Sequence, residues 1–206
     1  MNGTPEAAQY GRTYAGEQLR RSRHPVRQLV KAFYLSHVLR DVRGSTIDIG
    51  CGAGQLLARL PAGSIGLEVN GHLVDTLRAA GLPVTLYDAA QDRFALSDVP
   101  VDRFQTLVAS HVLEHLPHAD EVLRTVFNTS ARLGISRVIA VVPGRRGFQS
   151  DETHRTYIDH PYVVRHQLDR YGGFELAAVR YFPINVEHLG DYAVCQELKL
   201  IWDRQT

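Results

Sequence analysis

Three glycines at alternate positions, Gly50, Gly52 and Gly54, follow the apolar run 45–49 and precede Gln55-Leu56-Leu57, with Cys51 between the first two. Glycine accepts the backbone angles that a tight turn imposes, and its missing Cβ lets a ligand lie against the main chain. Asp48, at the end of that run, can organise the turn and attract a cationic group. A second run, 64–69, closes on Gly66-Leu67-Glu68-Val69-Asn70, where the Glu68 carboxylate can accept both hydroxyls of a ribose. A third ends at Tyr87-Asp88-Ala89, so the acids at 48, 68 and 88 each accompany an apolar run.

The fourth run, 104–109, leads into Ser110-His111-Val112-Leu113-Glu114-His115-Leu116-Pro117-His118. His111 and His115 are four apart, and His111 and Glu114 three apart, so one helical turn makes them neighbours. Two chemistries fit this rim together with the later His154. A histidine can take a proton from a hydroxyl or amine near neutral pH. Alternatively, His111, Glu114, His115 and His154 can ligate a divalent metal, of the zinc or transition type because imidazoles dominate the set. His111, His115 and His154 are assigned here to the first chemistry and no metal is assigned; His111, directly after the strand end, is placed nearest the reacting atom.

These residues need a scaffold, and the apolar pattern supplies one. Residues 29–39 have a helical period. Strand-length runs at 45–49, 64–69, 84–87, 104–109 and 137–142 alternate with helical stretches at 55–60, 72–80 and 120–133, which stop at Pro61, Gly81 and Gly134. Such alternation implies right-handed crossovers and a parallel sheet covered on both faces, a doubly wound α/β fold. After a helix expected at 161–171, the runs 174–182 and 192–202 have no helix of comparable length between them and read as an antiparallel pair. The sheet is therefore expected to have seven strands, mostly parallel, with a C-terminal antiparallel hairpin. The loop 143–158 is long and polar, with Arg145, Arg146, Asp151, Glu152, His154, Arg155 and Tyr157, and reads as a substrate lid.

A dinucleotide-binding turn of the form Gly-x-Gly-x-x-Gly would need glycine at Gln55, whereas here the third glycine comes early. Asp48-x-Gly50-x-Gly52-x-Gly54 instead closely resembles the first motif of class I S-adenosylmethionine-dependent methyltransferases, which have a Rossmann-like fold. Val112-Leu113-Glu114-His115-Leu116, then Val142-Pro143-Gly144, His154 and Gly172-Gly173-Phe174, resemble in order the small-molecule branch of that superfamily, over about residues 45–182. The resemblance implies S-adenosylmethionine as cofactor. Asp48, Gly50, Cys51, Gly52 and Gly54 would hold its methionine part, Glu68 and Val69 its ribose, Asp88 and Ala89 its adenine, with Ser110 at the fourth strand's end. Tyr10 and Tyr14 resemble N-terminal tyrosines that close over the cofactor in related enzymes. The metal alternative echoes small-RNA 3′-terminal 2′-O-methyltransferases, with His111 in place of their first glutamate.

Composition narrows the partners. With 44% hydrophobic and 22% charged residues in 206, the chain has the balance of a globular protein. Residues 1–42 are expected to form an N-terminal helical segment packing on or capping the site, and 43–206 the methyltransferase domain, a single domain overall. No apolar run approaches the roughly 18 residues of a membrane span, the N-terminus lacks a secretory core, and two cysteines cannot make a disulfide framework. A cytoplasmic location is expected. The net charge of +1 provides no field for nucleic acid or anionic lipid, although Arg20, Arg21, Arg23, Arg27, Lys31 and Arg40 make the N-terminal segment basic. The resemblance to the small-molecule branch implies a small polar acceptor, sugar-like or a natural-product intermediate, methylated on oxygen or nitrogen. An RNA acceptor ranks behind it, and a catalytically silent cofactor-binding subunit is a third reading. Oligomeric state is open.

Overall fold

Apolar runs without polar alternation suit strands buried on both faces, and the chain's central runs fold in this way. The computed structural model describes residues 25–89 and 91–205. Five strands, β1 (Thr46–Ile49), β2 (Ile65–Glu68), β3 (Val84–Leu86), β4 (Thr106–Ser110) and β5 (Arg137–Pro143), pair in parallel. Every residue of β1 is buried, as are all of β5 except Arg137. Three strands complete the sheet in antiparallel sense: β6 (Arg170–Tyr171), β7 (Phe174–Phe182) and β8 (Glu197–Arg204). The strand order is β3-β2-β1-β4-β5-β8-β7-β6. The order reverses between β1 and β4, the place where open α/β sheets bind ligands beyond the carboxyl ends of their strands.

Side chains along β5 alternate between two cores, as the strand period requires. Val138, Ala140 and Val142 face a cluster with Leu123, Val126 and Phe127 of helix α3 (Ala119–Arg132), whereas Ile139 and Val141 face Tyr34, Leu35 and Val38 of helix α1 (Pro25–Leu39). Helix α2 (Gly71–Ala79) packs Leu73, Val74 and Leu77 inward, and its start is capped by Asn70, whose side chain accepts from the His72 and Leu73 N–H groups at 3.0 and 3.2 Å. No described helix is long and apolar enough to cross a membrane.

The sheet has eight strands rather than seven, because the two-residue β6 folds back on β7 through Gly172 and Gly173, both at positive φ. The helix expected over 161–171 is only α5 (His160–Arg165), capped by Asp159. The chain must leave the helix early, since Trp202 Nε1 donates to the Leu168 carbonyl at 2.8 Å and Arg124 to that of His166. The helix expected over 55–60 is a single 3-10 turn, Leu57–Arg59; six residues before Pro61 cannot repay helix nucleation, and Leu60, preceding proline, is extended. The last strand starts at Glu197, not 192, because residues 187–191 turn and Gln196 donates to the carbonyls of Ile184 and Val186. The loop after β5 contains a short helix, α4 (Arg145–Gln149).

The end of α1 is fixed to the sheet by charge. Lys199 on β8 is 1% exposed and donates to the Asp41 carboxylate at 2.5 Å and to the His37 carbonyl, while Arg180 on β7 donates to the same carboxylate at 2.9 Å. Burial raises the Asp41 pKa, but the Lys199 bond and charge, then Arg180, outweigh it and hold the group below the usual carboxylate range. Removing one partner of a buried pair strands the other. Asp41→Ala is expected to cost about 3 kcal/mol, read as a lower urea midpoint at pH 7. A depressed carboxylate stabilises above its unfolded value and loses that contribution as pH falls. The wild-type and Asp41→Ala midpoints should therefore converge as the pH drops below about 4.

Candidate functional site at the sheet's switch point

The turn after β1 is built from left-handed glycines: φ is 67° at Gly50, 54° at Gly52 and 71° at Gly54. Gly50 and Cys51 donate their N–H groups to the Leu67 carbonyl at 2.8 and 3.2 Å, drawing the turn across the end of β2. Space is as limiting as conformation. A Cβ on Gly50 would lie 2.6 Å from Val112 Cγ2, and one on Gly54 would lie 2.7 Å from Leu77 Cδ2.

Glu68, 7% exposed, closes the arrangement. Its Oε2 accepts the Gly52 N–H at 2.8 Å and its Oε1 the Asn70 N–H at 2.9 Å. Burial lifts its carboxyl above the usual range, against the pull of those N–H donors. Each oxygen retains lone-pair capacity for a hydroxyl, so the chemistry of this carboxylate suits a ribose diol as well as the loop.

The other candidates divide. Asp48 is 2% exposed and lies within β1, between Gly66 and Val108 in register, so it sits beneath the turn rather than in it. Cys51 turns its side chain away into a cluster with Leu57, Val74, Leu77 and Val84; burial first, then Asp48 and Glu68, raise its thiol pKa, so only its backbone serves the loop. Val69 is 37% exposed beside Glu68. Asp88 Oδ1 accepts the Gln91 N–H at 3.0 Å, capping the turn that follows β3, with Ala89 packed at the core's edge. The Ser110 hydroxyl is hydrogen-bonded to the buried Tyr34 hydroxyl. Tyr10 and Tyr14, together with Arg20, Arg21 and Arg23, lie outside the described residues.

On the β4 side, His111 has φ 57°, unusual for a residue with a Cβ, and donates its N–H to the Val141 carbonyl at 2.9 Å. Its ring nitrogens face two carboxylates: Nδ1 lies 3.0 Å from Glu114 Oε1 and Nε2 lies 3.5 Å from Glu197 Oε2. The four-residue metal set does not come together as one. His111 goes with Glu114 and Glu197, whereas His115 packs edge-on against His154, with ring centroids 4.8 Å apart. Burial lowers the His115 pKa from the ordinary histidine value, with Glu114 opposing. The loop after β5 is tied down here, because the Glu114 carbonyl accepts from the Arg155 and Thr156 N–H groups at 2.7 and 3.1 Å, and Thr156 Oγ1 donates to the Leu116 carbonyl. Beyond Pro143 a cavity of about 250 Å³ opens, lined by Gly144, Arg145, Tyr157, Asp159, Tyr181 and Glu187.

A family profile described as "Methyltransferase domain" matches residues 18–135, more than half of the chain. The chain belongs to that family. No curated protein matches it. Among solved structures, it is similar to the complex between the Haloferax volcanii Trm112 methyltransferase activator and a putative methyltransferase (TM-score 0.69, 15% identity, 100% of each chain covered). It is also similar to magnesium protoporphyrin IX methyltransferase from Synechocystis with bound S-adenosylhomocysteine (TM-score 0.65, 14% identity, 96% of this chain and 97% of that one). A third is the N-methyltransferase NodS from Bradyrhizobium japonicum, in complex with S-adenosylhomocysteine (TM-score 0.62, 12% identity, 94% and 98% covered).

Two residues of this methyltransferase domain carry no signal in a linear reading. Glu197 reaches His111 only because β8 runs antiparallel beside β5, pairing Glu197 with Pro143. Tyr34 reaches Ser110 from α1. The glycine turn gives a direct test. Gly50→Ala adds both left-handed strain and the Val112 contact, and should lower Tm by about 2–12 °C, given roughly 1–3 kcal/mol of strain. Adding Val112→Ala should recover part of that loss, because it removes the contact and leaves the strain.

Proposed function

We propose that this methyltransferase domain transfers a methyl group from S-adenosylmethionine to an oxygen or nitrogen of a small polar molecule in the cytoplasm. One observation carries the reading: the left-handed turn Gly50–Gly54 and the Glu68 carboxylate form a single hydrogen-bonded unit at the switch point, through the 2.8 Å bond from the Gly52 N–H. The turn would present main chain to the methionine part of the cofactor, Glu68 would offer acceptor sites to its ribose, and Asp88 with Ala89 would hold its adenine. Asp48, with the glycine turn, would help hold the methionine part. The bound cofactor supplies an activated methyl group, so the protein's part is alignment and exclusion of water.

The acceptor would occupy the cavity of about 250 Å³ beyond Pro143, where Arg145, Tyr157, Asp159, Tyr181 and Glu187 offer both donors and acceptors to a polyhydroxylated or amine-bearing molecule. His111, at the end of β4, orients the attacking atom and takes up its proton, with Glu114 and Glu197 fixing the ring.

A second reading, in which turnover needs a partner chain, has one observation in its favour. Ile184, Val186, Tyr192 and Val194 are 56, 48, 82 and 54% exposed along one connection. Turnover by the purified chain alone would dispose of it.

Calorimetry with S-adenosylmethionine and with NADH tests the central reading. S-adenosylmethionine should bind, NADH should not, and Gly52→Arg should abolish the signal; binding of NADH alone would sink the proposal. In an acceptor screen, His111→Ala should keep cofactor affinity while kcat falls by about 10²–10⁴. Unchanged kcat would remove His111 from proton transfer.

A further inference from the structure

Among the described residues, one group of ligand-type side chains converges: Glu114, His115 and His154 each bring one ligand atom to within 4.8 Å of the others. The hydrogen bonds around them orient the two rings in the same way. His154 Nδ1 lies 2.8 Å from the Phe148 carbonyl, which can only accept, so Nδ1 carries the proton and Nε2 keeps its lone pair. His115 Nδ1 lies 3.1 Å from Thr153 Oγ1, and that hydroxyl donates its own proton to Asp151 Oδ1 at 2.6 Å. Thr153 therefore accepts from His115 Nδ1, and Nε2 is again the nitrogen left with a lone pair. Histidines that bind metals are held in this manner, with the non-ligating N–H donated to a carbonyl or, through a relay, to a carboxylate.

The third member supplies an independent sign. Glu114 is 1% exposed; Oε1 is held by His111, while Oε2 is buried with no hydrogen-bond partner. A carboxylate oxygen buried without a donor is costly, and a cation satisfies it. The orphan oxygen and the two lone pairs belong to the same group of three residues.

We propose that Glu114, His115 and His154 bind a divalent transition-metal ion of the zinc class at the rim beside His111. Two imidazoles and one carboxylate match that class and not Mg²⁺ or Ca²⁺, which take mainly oxygen ligands. Bonds of about 2.1 Å to a tetrahedral ion require ligand atoms about 3.4 Å apart, so the side chains draw together when the ion binds. Three protein ligands leave coordination open to an oxygen of the acceptor; that part alone rests on the methyltransferase reading.

The test uses the full-length, tag-free chain stripped of metal and titrated with Zn²⁺, Co²⁺ and Mg²⁺ by calorimetry, with Co²⁺ absorption as the second readout. One Zn²⁺ or Co²⁺ ion per chain is expected, with Co²⁺ giving the d–d bands of a low-coordinate site and Mg²⁺ giving no heat. His154→Ala and Glu114→Gln should each weaken binding by at least 10-fold, and Thr153→Val by about 10-fold through the His115 ring. Far-UV circular dichroism, measured on each variant, reports folding. If Glu114→Gln fails that check, His154→Ala and Thr153→Val carry the test. No uptake of Zn²⁺ or Co²⁺ by the wild type, or uptake unchanged in the folded variants, overturns the site. Loss of S-adenosylhomocysteine binding by the wild type would instead overturn the methyltransferase reading and leave the metal result standing.

Discussion

The Glu68 carboxylate, shared between the Gly52 and Asn70 N–H groups, is the interaction on which the geometry of the site depends. A carboxylate 7% exposed would be expelled from such a place if its oxygens had only apolar neighbours. Charge-assisted bonds from the backbone offset that cost, and they join two pieces of chain that no strand pairing connects. One is the turn after β1, where three left-handed glycines have no side chains to hold their shape; the other is the start of α2. Asn70 then continues the chain of dependence by capping α2, so the end of β2, the glycine turn and the helix share one set of polar contacts.

Across the switch point the construction differs. The β1 side is held by backbone and a single acid, whereas the β4 side is held by side chains arriving from distant strands. His111 adopts a left-handed conformation that its N–H bond to Val141 stabilises, and its ring stands between Glu114 and Glu197. Tyr34, from α1, packs 5.6 Å from that ring and bonds Ser110. The α1 end is in turn fixed by Asp41 and Lys199, so a charge pair at one end of the helix helps set the position of an aromatic ring beside His111.

This contrast explains what could be read from the sequence. Strands β1, β4 and β5 are legible because burial on both faces leaves little polar alternation, whereas β7, only partly buried along most of its length, is legible from its strand-like run 174–182 and the absence of a comparable helix before the last strand. The glycine spacing identified the turn because backbone angles are a local property. Length, by contrast, is not legible where tertiary contacts end an element: α5 stops because Trp202 and Arg124 take the carbonyls beyond it. The three acids looked equivalent in the sequence, yet Asp48 lies inside a strand, Glu68 braces a loop and Asp88 caps a turn. Strand-end position is encoded locally, but the partner of each carboxylate is chosen by the neighbouring strand. Glu197 was invisible for that reason.

The run from His111 to His115 shows how far such sorting can go within five residues. A regular helical turn would put His111, Glu114 and His115 on one face, but the left-handed residue at 111 and the 3-10 turn Leu113–His115 break that periodicity. His111 is directed toward β8 and α1, His115 toward the loop after β5, and Glu114 stands between them. Its side chain holds His111, and its carbonyl receives Arg155 and Thr156. The Glu114 side chain therefore bears on His111, while its backbone carbonyl, which any residue would supply, holds the loop after β5. The His111 contact, which only the side chain makes, accounts for a glutamate at a position where an apolar side chain would be simpler to bury.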